Sequence, residues 1–214
     1  MIAGRDARKV TNVRKAGQRC AWPRNPLAVA YHDKEWGVPV RNDRKLFEFL
    51  VLEGAQAGLS WDTILAKREN YRIAFDNFDP AIVGRYGVKK KVALLNDAGI
   101  VRHRAKIDAA VLNARLFCSV QREFGSFSRY LRRFTATTPI QPRMGDGSSF
   151  PTRSPESDAL SADLRQRGFK FVGTTIMYAF MQAVGVVNGH SPDCFRHGTI
   201  AVRIGHARRL PAKT

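Results

Sequence analysis

The sequence predicts a mainly α protein folded as one helical domain. Apolar residues recur at helical intervals in several segments, and Ser, Pro and Gly stand where helices start and stop. No alternating strand pattern of any length and no internal repeat interrupts that picture. At 214 residues with 44% hydrophobic content, the chain has enough apolar material for one proper core.

In chain order, Asp43–Ala57 places Leu46, Leu50, Glu53 and Ala57 at i, i+4, i+7 and i+11, a helix carrying an acid on its apolar side. Gly58 and Leu59 interrupt it. Ser60 then reads as the N-cap of a second helix through about Tyr71, with Asp62 near the positive end of its dipole. A helix at about Lys89–Asn96 breaks at Asp97-Ala98-Gly99, and a long helical pattern follows from Arg102 through Phe117. The two form a helix–hairpin–helix pattern over about 89–117. Residues 137–154, rich in Pro, Gly and Ser, are expected to form a surface loop. Ser154 and Pro155 start the next helix and Gly168 stops it. Phe171–Val187 is apolar nearly all round, as expected of a helix buried in the core.

Charge suggests a partner class without naming it. Thirty-six Lys and Arg against 18 Asp and Glu give a formal +18, which favours a polyanion such as nucleic acid. Much of the excess lies at the ends, since residues 25–194 carry 24 basic against 17 acidic residues. The expected organisation is a flexible basic tail over 1–19, a domain over 20–194 and a second basic tail over 195–214. No apolar run approaches a membrane span and the N-terminus has no signal-peptide core, so a cytoplasmic protein is expected. The Arg-rich start could also suggest an organelle transit peptide, but it lacks serine and amphipathic pattern. Cys20, Cys118 and Cys194 are too few for a disulfide scaffold and read as reduced thiols or metal ligands.

Four motifs, YHDKEWGVP (31–39), LEGAQAGLSW (52–61), NDAGIVRHRAKI (96–107) and GFKFVGTT (168–175), make residues 20–194 strongly resemble the bacterial 3-methyladenine DNA glycosylase I family of the helix–hairpin–helix superfamily. The resemblance implies an all-α fold with its active cleft between two helical lobes. It also implies action on alkylated double-stranded DNA at the nucleoid; no obligate protein partner is evident in the sequence, and a monomer is expected.

On spacing alone, Glu53 could equally be a structural acid held by amides or a cation. The resemblance implies that it accepts hydrogen bonds from an extruded base and disfavours bases that present a carbonyl there. Tyr31, Trp61 and Trp22 become the aromatic walls around that base, although aromatics in helical proteins are more often core. Ala28 stands where a further tyrosine is expected. Leu59 beside Gly58 becomes a wedge filling the gap left by the flipped nucleotide, where a buried turn leucine is the other reading. Gly99 allows the hairpin to turn, and Arg102, His103, Arg104 and Lys106 are DNA-contact candidates that could also be a solvated helix face. Against the superfamily hairpin, His103 falls at the Schiff-base lysine and Gln121 near the usual aspartate, so lyase chemistry is not expected. Base release would rest on binding and positioning, because an N3-methylated purine is already a good leaving group.

Two further readings stay open at this point: a non-catalytic binder of damaged DNA, and a bifunctional glycosylase/lyase acting on oxidised bases. The resemblance finally implies one structural zinc per chain, held by Cys20, His32, His190 and Cys194 and clipping the two ends of the domain together. Spacing by itself also fits unliganded residues. The Cys20–His32 interval is one residue shorter than expected, with His197 as the substitute ligand.

Overall fold

The computed structural model describes residues 18–135, 140 and 150–206. Most of the first tail, most of the 137–154 loop and residues 207–214 therefore lie outside the described residues. Those described are helical throughout, with one isolated parallel bridge between Ile140 and Val187 and no strand. No helix among them is long and apolar enough to cross a membrane.

The first helix, α1 (Pro26–Lys34), was not expected from periodicity. Its signals are local: Asn25 accepts from the Ala28 amide, and Pro26 occupies the first turn, where its missing N–H costs nothing. The next helix, α2 (Asp43–Gln56), is the centre of the molecule. Every residue from Leu46 to Ala55 is buried, including Glu48 and Glu53. Gly58, at φ +77, ends this segment in the left-handed region, and Ser60 caps α3 (Trp61–Ala74) by accepting from the Thr63 amide at 3.2 Å.

A short α4 (Pro80–Val83) leads to α5 (Val88–Asn96) and α6 (Arg104–Phe124). The last begins two residues later than expected, because His103 is its N-cap, and runs seven residues further, to Phe124, where Gly125 at φ +78 caps it. Asp43 accepts from the Phe127 and Ser128 amides, seating α7 (Phe127–Leu131) against the start of α2. Ser154 and Pro155 open α8 (Pro155–Gln166) with a capping box, and Gly168 follows its end at φ +96, as the sequence suggests.

The expected Phe171–Val187 helix is shorter. Phe171 lies outside it at φ +54, and α9 spans Thr174–Ala183. Apolarity reported burial there, not backbone conformation: Val172 and Val187 are core residues outside the helix. The chain closes on α10 (Phe195–His206), within the segment assigned to the C-terminal tail, and Ile200 of this helix is fully buried. Its first amide, on Phe195, donates to the Gln18 carbonyl at 2.9 Å, bringing the two ends of the domain together.

Candidate functional site

A cavity of about 260 Å³ opens between α1, α2, α3 and α9, lined by Trp22, Tyr31, Trp36, Glu53, Gln56, Trp61, Ala179 and Gln182. Tyr31 stands 5.5 Å from Trp61 and 6.2 Å from Trp22, centroid to centroid, while Trp22 meets Trp36 edge-on at 5.1 Å. Glu53, the acid of the LEGAQAGLSW motif, projects from the third turn of α2 into this aromatic enclosure. Its carboxylate has no protein hydrogen bond among the described residues, and burial pushes it up to about 8. The indole N–H groups of Trp22 and Trp61 are buried without an acceptor. Each such orphan costs about 1–3 kcal/mol. The cavity therefore combines flat apolar walls with one acceptor that the protein itself does not satisfy, as expected of a site shaped for a polar aromatic ligand.

Tyr31 is held from behind. It also lines a second cavity together with Arg68, whose guanidinium carbon lies 5.8 Å from the Tyr31 ring centre. Arg68 donates to both Glu35 oxygens at 2.6 and 2.8 Å and to Glu48 at 2.7 Å, and Lys45 bridges the same two acids. This network fixes the ring with charges that are already paired. Sequence reasoning missed Arg68, Trp36, Gln56, Ala179 and Gln182. Trp36 belongs to the YHDKEWGVP motif and could have been found there. Ala179 and Gln182 sit on α9 with no local signal. Ala28, expected to be a missing wall, is fully buried in the core and does not line the cavity.

The turn after α2 presents Leu59 at 41% exposure. A Cβ built on Gly58 would meet nothing within 4 Å, so its need is conformational. Gly99 is the opposite case: a Cβ would stand 2.9 Å from Asp97 Oδ1 and 3.0 Å from Asn70 Cβ, so close approach, not a left-handed φ, requires glycine. The residues between α5 and α6 dock on α3, where Lys67 donates to the Ala98 carbonyl and Tyr71 accepts from the Val101 amide. Arg102 and Arg104 are exposed. His103 is spent as the cap of α6. Lys106 directs its ammonium inward, to the Ala55 and Ala57 carbonyls at 2.8 and 2.6 Å, a role the sequence reading did not assign it. Gln121, at the position compared with the superfamily aspartate, is outside the cavity and donates to Asp43.

Cys20, His32, His190 and Cys194 converge, all four buried, with one ligand atom from each within 4.8 Å of the others. His190 Nδ1 lies 3.2 Å from His32 Nε2, 3.5 Å from Cys194 Sγ and 3.7 Å from Cys20 Sγ, and Cys194 Sγ is 3.5 Å from His32 Nε2. Tetrahedral coordination with bonds of about 2.0–2.3 Å sets ligand atoms roughly 3.3–3.8 Å apart, close to the 3.2–3.7 Å of these four pairs. The outer ring nitrogens are occupied, His32 Nδ1 by Asp33 at 2.7 Å and His190 Nε2 by the Trp36 carbonyl at 3.1 Å, which aims the inner lone pairs at one point. Amides of Ser191 and Arg196 donate to the two sulfurs, the bonds a thiolate accepts. Burial lowers His190 to about 4, keeping it a neutral donor. The cluster is fit to hold a metal ion. The shorter Cys20–His32 interval is accommodated, and His197 lies outside the cluster.

Residues 21–197 match the methyladenine glycosylase family. The chain is 48% identical over 178 residues to DNA-3-methyladenine glycosylase 1 of Escherichia coli K12, covering 83% of this chain and 95% of that protein. It is 44% identical over 177 residues to DNA-3-methyladenine glycosylase of Haemophilus influenzae Rd, covering 82% and 96%. The crystal structure of a 3-methyladenine DNA glycosylase I superposes with a TM-score of 0.79 at 48% identity, over 84% of this chain and 100% of that one.

Proposed function

This chain belongs to the methyladenine glycosylase family, and from that premise we propose that it removes 3-methyladenine from alkylated DNA by flipping the nucleotide into the Glu53 cavity and hydrolysing its N-glycosidic bond without lyase chemistry. As a DNA-3-methyladenine glycosylase it is a hydrolase of that bond. The observation that carries the finer reading is the pairing of an unpartnered, buried Glu53 with aromatic walls in one cavity.

Glu53 accepts from the exocyclic amine of the lesion, while Tyr31, Trp61 and Trp22 face its rings. Attraction of a cationic purine to those ring faces, and to the carboxylate once ionised, favours the methylated base over a neutral one. A carbonyl at the amine position would set two acceptors against each other in a desolvated site, which disfavours guanine-type lesions. Leu59 fills the vacated stack from a turn that Gly58 allows to approach the duplex, and the segment joining α5 to α6 takes the backbone as a helix–hairpin–helix element, with Gly99, Arg102, His103 and Arg104 on it. The eight residues lining the cavity include no lysine, which supports hydrolysis over a Schiff-base route.

Zinc is the ion that two cysteines and two histidines at this spacing suit. Cys20, His32, His190 and Cys194 would hold it, and its chemistry there is structural, closing a complete four-ligand shell outside the base cavity.

A base-release assay on methylated DNA tests the reading. Free 3-methyladenine should be released at least tenfold faster than 7-methylguanine. Equal rates would overturn Glu53 as the discriminating acceptor, and no release of either would leave only a binder of damaged DNA.

A further inference from the structure

A larger depression, about 480 Å³, runs along α6 and is lined by Ala105, Asp108, Ala109, Leu112, Lys170 and Phe171. The four α6 residues recur at i, i+3, i+4 and i+7, one face of the helix. Neither the base cavity nor the metal cluster uses any of the six.

The loop bearing Lys170 is held firmly. Asn113, buried on α6, donates from Nδ2 to the Lys170 carbonyl and accepts the Lys170 amide on Oδ1, both at 2.9 Å. Phe171 then adopts φ +54, a left-handed conformation that an ordinary side chain keeps only where its surroundings impose it. A Cβ built on Gly54 would lie 3.4 Å from the Phe171 Cβ, so this loop is packed on α2 one residue from Glu53.

The charge of the groove is also set. Its acid, Asp108, is paired with Lys91 at 2.7 Å. Lys170 is exposed and has no hydrogen bond or ion pair from its side chain among the described residues. The groove begins at Ala105 in the first turn of α6, beside exposed Arg102 and Arg104.

We propose that this groove seats one phosphodiester of the damaged strand, with Lys170 as its charge contact and Asn113 as the residue that positions it. The proposal rests on the DNA glycosylase reading. A strand whose nucleotide is turned into the Glu53 cavity must carry its backbone past the neighbouring rim. There it would meet an apolar floor suited to a sugar, and one unpaired cation suited to a phosphate.

The test measures binding of a duplex containing an abasic-site analogue, at several salt concentrations, for the wild-type protein and for Lys170→Ala, Lys170→Arg and Lys91→Met. Losing one phosphate contact should reduce the slope of log K against log salt by about 0.9 in Lys170→Ala, while Lys170→Arg restores it. Lys91→Met, which uncovers the Asp108 charge, should weaken binding in the same salt range. On alkylated DNA, Lys170→Ala should raise KM more than it lowers kcat, while free 3-methyladenine binds as in wild type. Asn113→Ala should reproduce the KM effect with the lysine still present. An unchanged slope and KM in Lys170→Ala, with the wild-type protein releasing base, would overturn the groove assignment alone. A wild-type protein that releases no base would overturn the underlying reading.

Discussion

A carboxylate enclosed by Trp22, Tyr31, Trp36 and Trp61 has little but aromatic surface to stabilise its charge, and that is why burial pushes Glu53 up to about 8. An unfolded glutamate titrates at about 4.3, so between those values the folded protein holds a proton that the unfolded chain has released. The contribution of Glu53 to stability is therefore complete below about pH 4 and is lost as pH rises through 8. Glu53→Gln cannot ionise and should melt higher than wild type at pH 8.5–9, with the gap closing towards pH 5. Recognition runs the other way. A cationic lesion favours the carboxylate, so discrimination between lesion and undamaged duplex should improve up to tenfold per pH unit from about 6 to 8 and flatten above. In Glu53→Gln that dependence should vanish and lesion recognition should fall roughly 10- to 100-fold, the worth of hydrogen bonds to a charged acceptor. Wild-type excision by this variant, or a pH-independent discrimination in wild type, would remove Glu53 from the role assigned to it.

At the scale of elements, the turn after α2 shows how one helix braces another. Lys106, in the first turn of α6, reaches the open carbonyl end of α2 through Ala55 and Ala57. A cation at a helix C-terminus stabilises carbonyls that have no amide partner. Lys106→Met should cost about 1.5–3 kcal/mol of stability and slow excision by loosening Gly58 and Leu59. The salt slope of duplex binding should stay at the wild-type value, whereas a lysine bound to phosphate would lower the slope and spare the melting temperature. Elements with strong local punctuation were legible in the sequence. Ser60 caps α3, and Ser154, Pro155 and Gly168 bracket α8, because caps and stops act through the residues that carry them. The start of α9 was not legible: Phe171 and Val172 are as apolar as the helix that follows, and only the Asn113 contact, distant in sequence, shows why the chain turns there. Glu53, Tyr31 and Trp61 were found through motifs and Trp22 as a further aromatic candidate outside them, and the structure brings all four to one cavity. Ala179 and Gln182 complete it from α9 purely by packing, which no local pattern records.

For the molecule as a whole, an ion held by the Cys20, His32, His190 and Cys194 cluster would tie residue 20 to residue 194 and so close nearly the entire domain into a loop. In chain-entropy terms a link over that length is worth about 5 kcal/mol, a large share of the stability of an ordinary domain. The cluster also adjoins the base cavity without entering it. His32 follows Tyr31 on α1, and the outer nitrogen of His190, Nε2, donates to the carbonyl of Trp36, a residue of the cavity wall. Its effect should therefore fall first on stability, and on activity through the firmness of those walls. Metal analysis of the purified protein should find about one zinc per chain. Strong chelator should lower the melting temperature, and added zinc should restore it, because an ion bound only by the folded state stabilises that state. Cys194→Ala should remove the metal and lower the melting temperature by 10 °C or more, on the order expected when several kcal/mol are lost from a domain of this size. At low temperature, where the variant stays folded, it should retain most of its base release. Loss of activity with an unchanged melting temperature would place the ion in the chemistry instead. An active protein free of metal, with the same stability in chelator as without it, would show that four converging ligands are here only neighbours in a core.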